Sequence, residues 1–241
     1  MTKTIVISQS MYFPWVGLLE QIRLADKFVH YDDVQFARGF FNRVQIKDTN
    51  GTSWISVPLK RHSQKTFIRD VEIDNSVDWR SKHRKVLEHS YRKAPFFDDM
   101  LRLVDSVFDL KIDSLSELSM RSMLGLVDYF GIRAPSFIRS EDLGIPGSGS
   151  ERILEIVRHL GGDVYVTGHG ASSYLDHDLF VKYGVDVRYM DYLRKPYLQL
   201  HGAFTPYVSA LDLVANHGAD GAKFICSDSI SWKVFNDVTR S

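Results

Sequence analysis

The chain has 241 residues, of which 44% are hydrophobic and 25% are charged. These proportions are usual for a folded globular protein and exclude a disordered or fibrous chain, and the length suits one large domain or one domain with a smaller lobe. The 30 basic residues balance the 30 acidic ones, so the chain has no general electrostatic attraction to nucleic acid or to anionic membranes.

The N-terminal region has the pattern of a strand–helix–strand unit. Thr4 to Ser8 is a short β-branched run that predicts a buried strand. Apolar residues then recur at helical spacing between Trp15 and Ala25, and Phe28 to Tyr31 predicts a second strand. A strand, a helix and a strand in close succession are typical of a parallel sheet.

The next segment has the pattern of a β-hairpin. Two runs that alternate apolar and polar residues, Val44 to Lys47 and Trp54 to Leu59, lie on either side of Asn50-Gly51. Both residues of an Asn-Gly pair tolerate positive φ, so this pattern predicts a hairpin turn. A third β-like run, Phe67 to Ile73, follows.

Helical patterns come next, followed by a second stretch of alternating strands and helices. Ser148 and Glu151 have the spacing of a capping box, and Ser209 is a candidate N-cap for a later helix. The predicted helices are roughly 79–91, 96–108, 115–130, 152–160, 178–183 and 209–215, and the predicted strands are 137–138, 164–167 and 185–189.

These elements predict an α/β fold: a parallel-sheet core with a β-hairpin and an inserted or appended helical lobe. We expect a single domain over 1–241, with the α/β core at about 1–75 and 136–241 and the helical lobe at about 76–135. The one cysteine, Cys226, excludes an internal disulfide and a multi-cysteine metal site. Because the sequence shows neither a signal peptide nor the ~18 apolar residues of a membrane helix, we expect a cytoplasmic protein that does not span the membrane.

Candidate ligand-binding residues follow the two N-terminal strands. Gln9 ends the first strand and leads into Tyr12 and Trp15, whose rings offer flat surfaces for a base or a sugar. The alternative is that these rings pack the helix onto the sheet. Asp32 and Asp33 follow the second strand, where one carboxylate is placed to bind a hydroxyl or ammonium group or to act as a base. The alternative for this pair is a helix cap or a turn.

A basic face is predicted on the hairpin. Arg43, Gln45 and Lys47 alternate along the first hairpin strand and therefore share one face. An arginine and a lysine on one face are suited to clamp a phosphate or carboxylate group. The alternative is a solvated outer face, which is the commoner role of such charges.

The second half contains one candidate acid–base residue. His169 lies between two glycines directly after a predicted buried strand, a position that favours a site residue over a core residue. Because imidazole titrates near neutral pH, His169 is the candidate general acid or base, although single histidines also occur in surfaces and cores. The serine-rich helix start at Ser150 is a candidate anion site, and the loop 192–206 has a composition typical of pocket walls.

Several well-known site motifs are absent from the sequence. It contains no HExxH or CxxC spacing for zinc, no Walker loop, no GxGxxG fingerprint and no GxSxG elbow. The sequence therefore identifies no cofactor and no metal ligand. Cys226 has no local activation that favours a nucleophile.

The chain resembles the WbqC-like family over nearly its whole length. The family usually has Gly-Pro-Gly where this chain has Gly168-His169-Gly170, which weakens an indispensable role for His169. The resemblance rests on Gln9, Tyr12-Phe13-Pro14-Trp15-Val16-Gly17, Asp32-Asp33-Val34-Gln35-Phe36, Asn42-Arg43, Ile46-Lys47 and Trp54, and later on Ser150-Glu151-Arg152, Ser173-Tyr174-Leu175, Tyr197, Gln199-Leu200 and Asp212-Leu213.

The resemblance implies an enzyme of bacterial surface-polysaccharide (O-antigen type) precursor biosynthesis. Its substrates would be a nucleotide-linked amino sugar and a donor that transfers an acyl or aminoacyl group to the sugar amine, with no nucleic acid involved. One alternative is a non-catalytic nucleotide-sugar-binding or scaffolding protein of the same pathway. Another is a nucleotidylyltransferase-like enzyme, although only Gly17 remains of the HxGH motif of that class, with Trp15 in place of the first histidine.

We therefore expect the acidic pair, the basic hairpin face and His169 to meet around one cavity. The candidate catalytic residues are Asp32, Asp33 and His169, and the candidate substrate-binding residues are Gln9, Tyr12, Trp15, Gln35, Asn42, Arg43, Lys47, Ser150, Arg152, Tyr174, Tyr197 and Gln199.

Overall fold

A six-stranded sheet lies at the centre of the computed structural model, which describes residues 2–37, 39–133 and 135–240, with side chains described through residue 238. The strands in chain order are β1 (Thr4–Ser8), β2 (Lys27–His30), β3 (Arg43–Asp48), β4 (Gly51–Ser56), β5 (Ser136–Arg139), β6 (Val164–Thr167), β7 (Asp186–Asp191) and β8 (Asp228–Ser231).

The central sheet has the order β5-β2-β1-β6-β7-β8, and β3 and β4 form a separate antiparallel hairpin. All neighbours in the central sheet pair in parallel except β7 and β8. The chain builds outward from β1 on one side through β2 and on the other through β6. In open α/β sheets this reversal of strand order marks the edge where ligands bind. The structure confirms the predicted α/β fold with its parallel core and hairpin.

The helices agree with the periodicity of the sequence to within a few residues. The N-cap Asp78 accepts a hydrogen bond from Ser81 N at the start of the second helix, and Ser209 Oγ accepts one from Leu211 N at the start of the seventh. The α-helices are α1 (Val16–Leu24), α2 (Trp79–Tyr91), α3 (Phe97–Phe108), α4 (Leu115–Tyr129), α5 (Gly149–His159), α6 (His177–Lys182), α7 (Ala210–His217) and α8 (Trp232–Arg240).

Two local predictions differ from the structure, and two elements were not predicted. The run 67–73 is not a strand: Ile68–Asp70 forms a short 3-10 helix between isolated bridges at Phe67 and Ile73. Ser148 precedes α5, but its side chain makes no capping hydrogen bond there. Strand β8 and helix α8 were not predicted; both lie near the C-terminus, where β8 contributes only four residues to the edge of the sheet.

Two clusters of buried hydrophobic residues form the core. The first joins Val6 of β1 and Leu19 of α1 to the hairpin and to Val104 of α3 and Met123 of α4, so the helical segment packs on the sheet through shared apolar contacts. The second joins Ile5 and Ile7 of β1 to α5, α6 and β7. None of the helices in the described part of the chain is long and apolar enough to cross a lipid bilayer.

Candidate functional site

An open groove of about 1100 Å³ lies beside the hairpin. Three of the predicted substrate-binding residues, Gln35, Asn42 and Arg43, line it. The polar loop after β4 contributes three further lining residues, Lys60, Arg61 and His62. The remaining lining residues are Phe36, Ala37, Gly39, Ser56, Val57, Pro58, Leu59 and Gln64.

Arg43 is held in place by the hairpin itself. Its guanidinium carbon lies 4.4 Å from the centre of the Trp54 ring, diagonally across the hairpin, and its Nε donates to the carbonyl of Gly39 at 3.2 Å. The Trp54 ring in turn packs against the Phe40 ring, with 5.6 Å between the two ring centres. Arginine stacks well on aromatic faces while its remaining N–H groups stay available. The hairpin thus presents a preorganised guanidinium to the groove.

Asn42 closes the base of the hairpin. Its backbone carbonyl accepts from Val57 N at 2.8 Å, and its Nδ2 donates to the carbonyl of Val57 at 3.0 Å. These two bonds fasten the loop before β3 to the chain that leaves β4. Asn42 therefore shapes the groove through the backbone as well as lining it.

Sequence patterns did not indicate the three basic side chains that the loop after β4 contributes to the groove. Lys60 forms an exposed ion pair with Glu72 at 2.6 Å. The ring of His62 stands edge-on to Phe36, and its Nδ1 lies 2.9 Å from the carbonyl of Lys60. When Nδ1 carries the proton and donates to that carbonyl, Nε2 is left as an acceptor. In this tautomer Nε2 of His62, a lining residue of the groove, can accept a hydrogen bond.

A second, smaller cavity of about 220 Å³ lies next to the groove and shares Arg43 with it. It begins just beyond the carboxyl end of β1, the edge at which the fold favours ligand binding. Its lining is almost entirely apolar and comprises Met11, Tyr12, Pro14, Trp15, Phe40, Arg43, Val44, Gln45 and Tyr207. The structure therefore brings together the predicted residues Tyr12, Trp15 and Arg43.

Trp15 is a wall of this cavity because Gly17 lacks a side chain. A Cβ atom on Gly17 would lie 2.3 Å from the Trp15 indole. The indole also contacts the rings of Tyr192 at 5.0 Å and Tyr207 at 5.9 Å. Gly17 therefore leaves the space that the Trp15 indole occupies.

Tyr12 is fully buried, and its hydroxyl is engaged. The hydroxyl lies 3.0 Å from His83 Nδ1, and His83 Nε2 lies 3.1 Å from the carbonyl of Ser56. Burial holds the pKa of Tyr12 well above its usual value and lowers the pKa of His83 to about 4. This chain of contacts joins the β1–α1 loop to α2 and to the hairpin.

Asp33 has Arg152 as its ion-pair partner. Both Nη atoms of Arg152 donate to the Asp33 carboxylate, Ser140 Oγ donates to it at 2.5 Å, and the guanidinium lies 4.9 Å from the Tyr31 ring centre. Burial alone would raise the pKa of Asp33, but the hydrogen bonds from Arg152 and Ser140 outweigh it, so the pKa lies below its usual value. The structure thus joins two predicted site residues to each other.

Asp32 points into the protein. One oxygen accepts from Ser10 N at 2.8 Å and the other from Ser116 Oγ. Ser10 Oγ also lies 2.9 Å from Nδ1 of His30, whose pKa burial lowers to about 4 despite the nearby Asp32 carboxylate. Asp32 therefore ties the ends of β1 and β2 to α4.

His169 follows β6, the strand next to β1, and Ser150 lies at the start of α5. His169 Nε2 is 2.6 Å from the carbonyl of Met190, and its ring contacts Tyr192 at 5.0 Å and Phe235 at 4.8 Å. Ser150 Oγ donates to the carbonyl of Tyr174 at 3.4 Å and accepts from Asp176 N at 2.9 Å. These contacts fasten the segment after β6 to α5 and α8.

Lys47 is buried and takes part in a different network from Arg43. Its ammonium donates to Gln199 Oε1 at 3.1 Å and to the carbonyls of Gly202 at 3.1 Å and Ala203 at 2.6 Å. Four residues of extended strand separate Lys47 from Arg43, which is about 13 Å. The two cations therefore do not clamp one phosphate group, although both follow the alternation of β3.

Asp212 of α7 lies beside this network and was missed as a functional candidate. It is fully buried, and its two carboxylate oxygens have no hydrogen-bond partner of good geometry in the described part of the chain. Burial raises the pKa of Asp212 to about 6, against the opposite influence of the nearby Tyr197 and Tyr91 hydroxyls and of Lys47. Tyr197 and Gln199 thus meet Lys47 in an internal network.

The predicted site residues accordingly fall into separate groups. Gln35, Asn42 and Arg43 line the groove, and Tyr12, Trp15 and Arg43 line the apolar cavity. The acidic pair, Lys47 and His169 have different partners, as described above, and Gln9 is half-buried at the end of β1. Neither the groove nor the apolar cavity is lined by Asp32, Asp33 or His169. The Tyr192 ring links His169 to Trp15 of the cavity wall, and the expectation that the acidic pair, the basic hairpin face and His169 meet around one cavity stays a prediction.

Comparison with known proteins gives the family. A protein of Mycobacterium tuberculosis (strain ATCC 25618 / H37Rv), described as "Uncharacterized protein Rv1507c", is 33% identical over 229 residues, covering 92% of this chain and 97% of that protein. No solved structure matches the chain. The WbqC-like protein family matches residues 9–224, a span that includes every predicted site residue. The chain therefore belongs to the WbqC-like protein family.

Proposed function

We propose that the protein binds a nucleotide-linked amino sugar in the groove beside the hairpin. The observation that carries this proposal is the position of Arg43, which lines both the basic groove and the apolar cavity. A guanidinium that shares one groove with Lys60 and Arg61 and also lines an apolar recess suits a ligand that carries phosphate groups next to an uncharged part. The half-open groove leaves room for the sugar and its diphosphate together.

The chemistry that we propose is transfer of an acyl or aminoacyl group to the sugar amine. The sugar ammonium first loses a proton to a base, and the free amine attacks the carbonyl carbon of an activated donor such as a thioester. The new C–N bond forms while the C–S bond breaks. The thiolate leaves with the bonding electrons and takes up the second amine proton.

His62 is the base that we propose for this step, because it faces the groove with Nε2 as an acceptor. The internal hydrogen bonds of Asp32, Asp33 and His169 favour a positioning role for these three residues, in which they hold the ends of the strands. The place of this reaction in surface-polysaccharide precursor synthesis rests on the family resemblance.

A second candidate function is binding without turnover, in a scaffolding protein of the same pathway. One observation favours it: the carboxylates of Asp32 and Asp33 and the Nε2 atom of His169 all have partners within the protein. Under this alternative the groove binds the nucleotide sugar, but no amide product forms.

The test is a binding titration of uridine, guanosine and thymidine diphosphate-linked amino sugars, with calorimetric readout. Arg61→Gln should weaken binding about tenfold, since an exposed phosphate contact is lost. The matched control is Arg102→Gln, which removes an exposed arginine of α3 instead. Equal affinities of the wild type and Arg61→Gln would contradict the groove as the binding site.

Mass spectrometry of the sugar after incubation with acyl and aminoacyl thioesters separates the two functions. A mass increase equal to the acyl group supports the transferase. Binding without any mass change, across all donors, supports the scaffolding protein.

A further inference from the structure

We propose that the apolar cavity beside Arg43 binds a short, uncharged acyl chain of the donor, so that the protein transfers an acyl rather than an aminoacyl group. This inference rests on the proposed transferase function and names the donor class. The cavity has room for a small group only, since about 220 Å³ is less than the ~300–1000 Å³ typical of drug-sized ligand sites.

The walls of the cavity offer little to a polar ligand. Met11, Pro14, Trp15, Phe40 and Val44 contribute apolar surface. A nucleobase placed here would leave most of its donors and acceptors unpaired, which is costly in a dry site. A hydrocarbon chain loses nothing by entering and gains the free energy of burial.

The backbone polar groups of the wall are also engaged. Tyr12 N donates to the carbonyl of Phe41 at 3.2 Å, and the carbonyl of Gln45 accepts from Ser209 N at 2.8 Å. The carbonyl of Pro14 accepts from Ala210 N at 2.8 Å. The backbone therefore adds no free partner for a polar ligand at these three positions.

Charge distinguishes an acyl group from an aminoacyl group. The guanidinium of Arg43 lines the cavity, and a glycyl or alanyl group would bring its own ammonium into the same apolar cavity. Two positive charges there repel each other, and the ammonium would also lose its hydration. An uncharged acyl chain avoids both costs.

The shared position of Arg43 also orients the donor. With the chain in the cavity, the carbonyl lies toward the groove, where the N–H groups of Arg43 can stabilise the negative charge that develops on its oxygen. The amine of the sugar then approaches from the groove side. Arg43 thereby stands between the two substrates of one transfer.

The test uses N-acetylcysteamine thioesters as probes, with calorimetry or ligand-observed NMR as the readout. Acetyl, butyryl and hexanoyl thioesters should bind with an affinity that rises about fourfold per methylene until the cavity is full. The β-alanyl thioester has nearly the shape of the butyryl thioester but carries an ammonium. We expect it to bind at least tenfold more weakly than the butyryl thioester.

Tyr207→Ala removes one exposed wall of the cavity and should abolish the dependence on chain length. The matched control is Tyr183→Ala: both tyrosines are about half exposed, at 47% and 46%, and both lie under an arginine, but Tyr183 is at the end of α6. A chain-length dependence that persists in Tyr207→Ala places the acyl group elsewhere and overturns the proposal. So does β-alanyl binding as tight as butyryl binding, or the absence of thioester binding by the wild type.

Arg61→Gln separates this inference from the function on which it rests. Arg61 lines the groove but not the cavity, so the variant should bind nucleotide sugars more weakly and still show the dependence on chain length. If the thioester series behaves as expected while no nucleotide sugar binds to the wild type, the cavity assignment stands and the choice of acceptor is wrong.

Discussion

The guanidinium of Arg152 on α5 forms a two-point ion pair with the carboxylate of Asp33, which follows β2. The two side chains are only 7% and 10% exposed, although 119 residues separate them along the chain. A buried pair of this kind brings two distant segments into a single geometry. Replacing either partner by an uncharged residue leaves the other as an unpaired charge inside the protein.

Asp33→Ala should therefore lower the free energy of unfolding by about 3 kcal/mol, near the lower end for broken buried pairs because the site lies at the edge of the sheet. Urea denaturation at pH 7 measures this loss. The control is Glu155→Ala, which breaks an exposed pair with Arg158 and should change stability by less than about 1 kcal/mol. Similar losses in the two variants would show that the buried pair contributes no more than a surface pair.

Acid should destabilise the protein between about pH 6.5 and pH 4. Burial lowers the pKa of His30 and of His83 from 6.5 to about 4, so in this window the unfolded chain binds protons that the folded chain does not. Stability is then fully present above pH 6.5 and falls as the pH drops. Asp212 acts in the opposite direction below about pH 6, because its pKa is raised when folded.

Urea titrations at several pH values measure the slope of this dependence. His83→Gln should reduce this slope: between pH 6.5 and pH 4 the variant should lose up to about 3 kcal/mol less of its free energy of unfolding than the wild type. In Asp212→Asn the free energy of unfolding should fall more steeply with acid than in the wild type, because the compensating carboxyl is absent. An unchanged slope in His83→Gln would show that its imidazole already binds a proton in the folded state.

Gly17→Ala should displace the Trp15 indole from the wall of the apolar cavity. The added Cβ would lie 2.3 Å from the ring, and overpacking of this kind typically costs about 1–3 kcal/mol. Tryptophan fluorescence and thermal unfolding report the change. The control is Gly125→Ala in the interior of α4. The atom nearest to an added Cβ there belongs to Val107 and is 3.8 Å away, so this variant should be neutral or slightly stabilising.

Lys47→Met should loosen the loop that its ammonium holds. Three acceptors, Gln199 Oε1 and the carbonyls of Gly202 and Ala203, lose their donor, and the nearby Asp212 loses a compensating charge. Hydrogen exchange of the Thr205 amide, which donates to Gln199 Oε1, should accelerate at least tenfold. Unchanged protection there would mean that the loop is held by its other contacts, such as the one between His201 and Ser90.

The sheet and the long helices could be predicted because their signals are local. The β-branched run at 4–8 and the apolar periodicity at 79–91 match β1 and α2 residue for residue. The run 67–73 failed because its apolar residues, including Ile68 and Val71, are buried around a 3-10 turn rather than along a strand. Short apolar runs do not distinguish these conformations.

The candidate site was predictable only in part. The residues after β1 and at the start of the hairpin line the two cavities. They could be predicted because strand ends and alternating strand faces follow from the periodicity of the sequence. Lys60, Arg61 and His62 lie in a polar loop without any period, and only the folded chain brings them to the same groove as Arg43. The same holds for Asp33 and Arg152, whose pairing depends on the order of the strands.

The separate two-stranded hairpin has an evolutionary consequence. Arg43 belongs to β3, which shares no ladder with the central sheet and is joined to α7 through the bond from Ser209 N to the carbonyl of Gln45. Substitutions at Arg43 or Phe40 would therefore change the walls of the apolar cavity and leave the hydrogen-bonded ladders of the central sheet intact. Under the proposed function, ligand preference would then evolve through substitutions in and beside the hairpin, without any change in the central sheet.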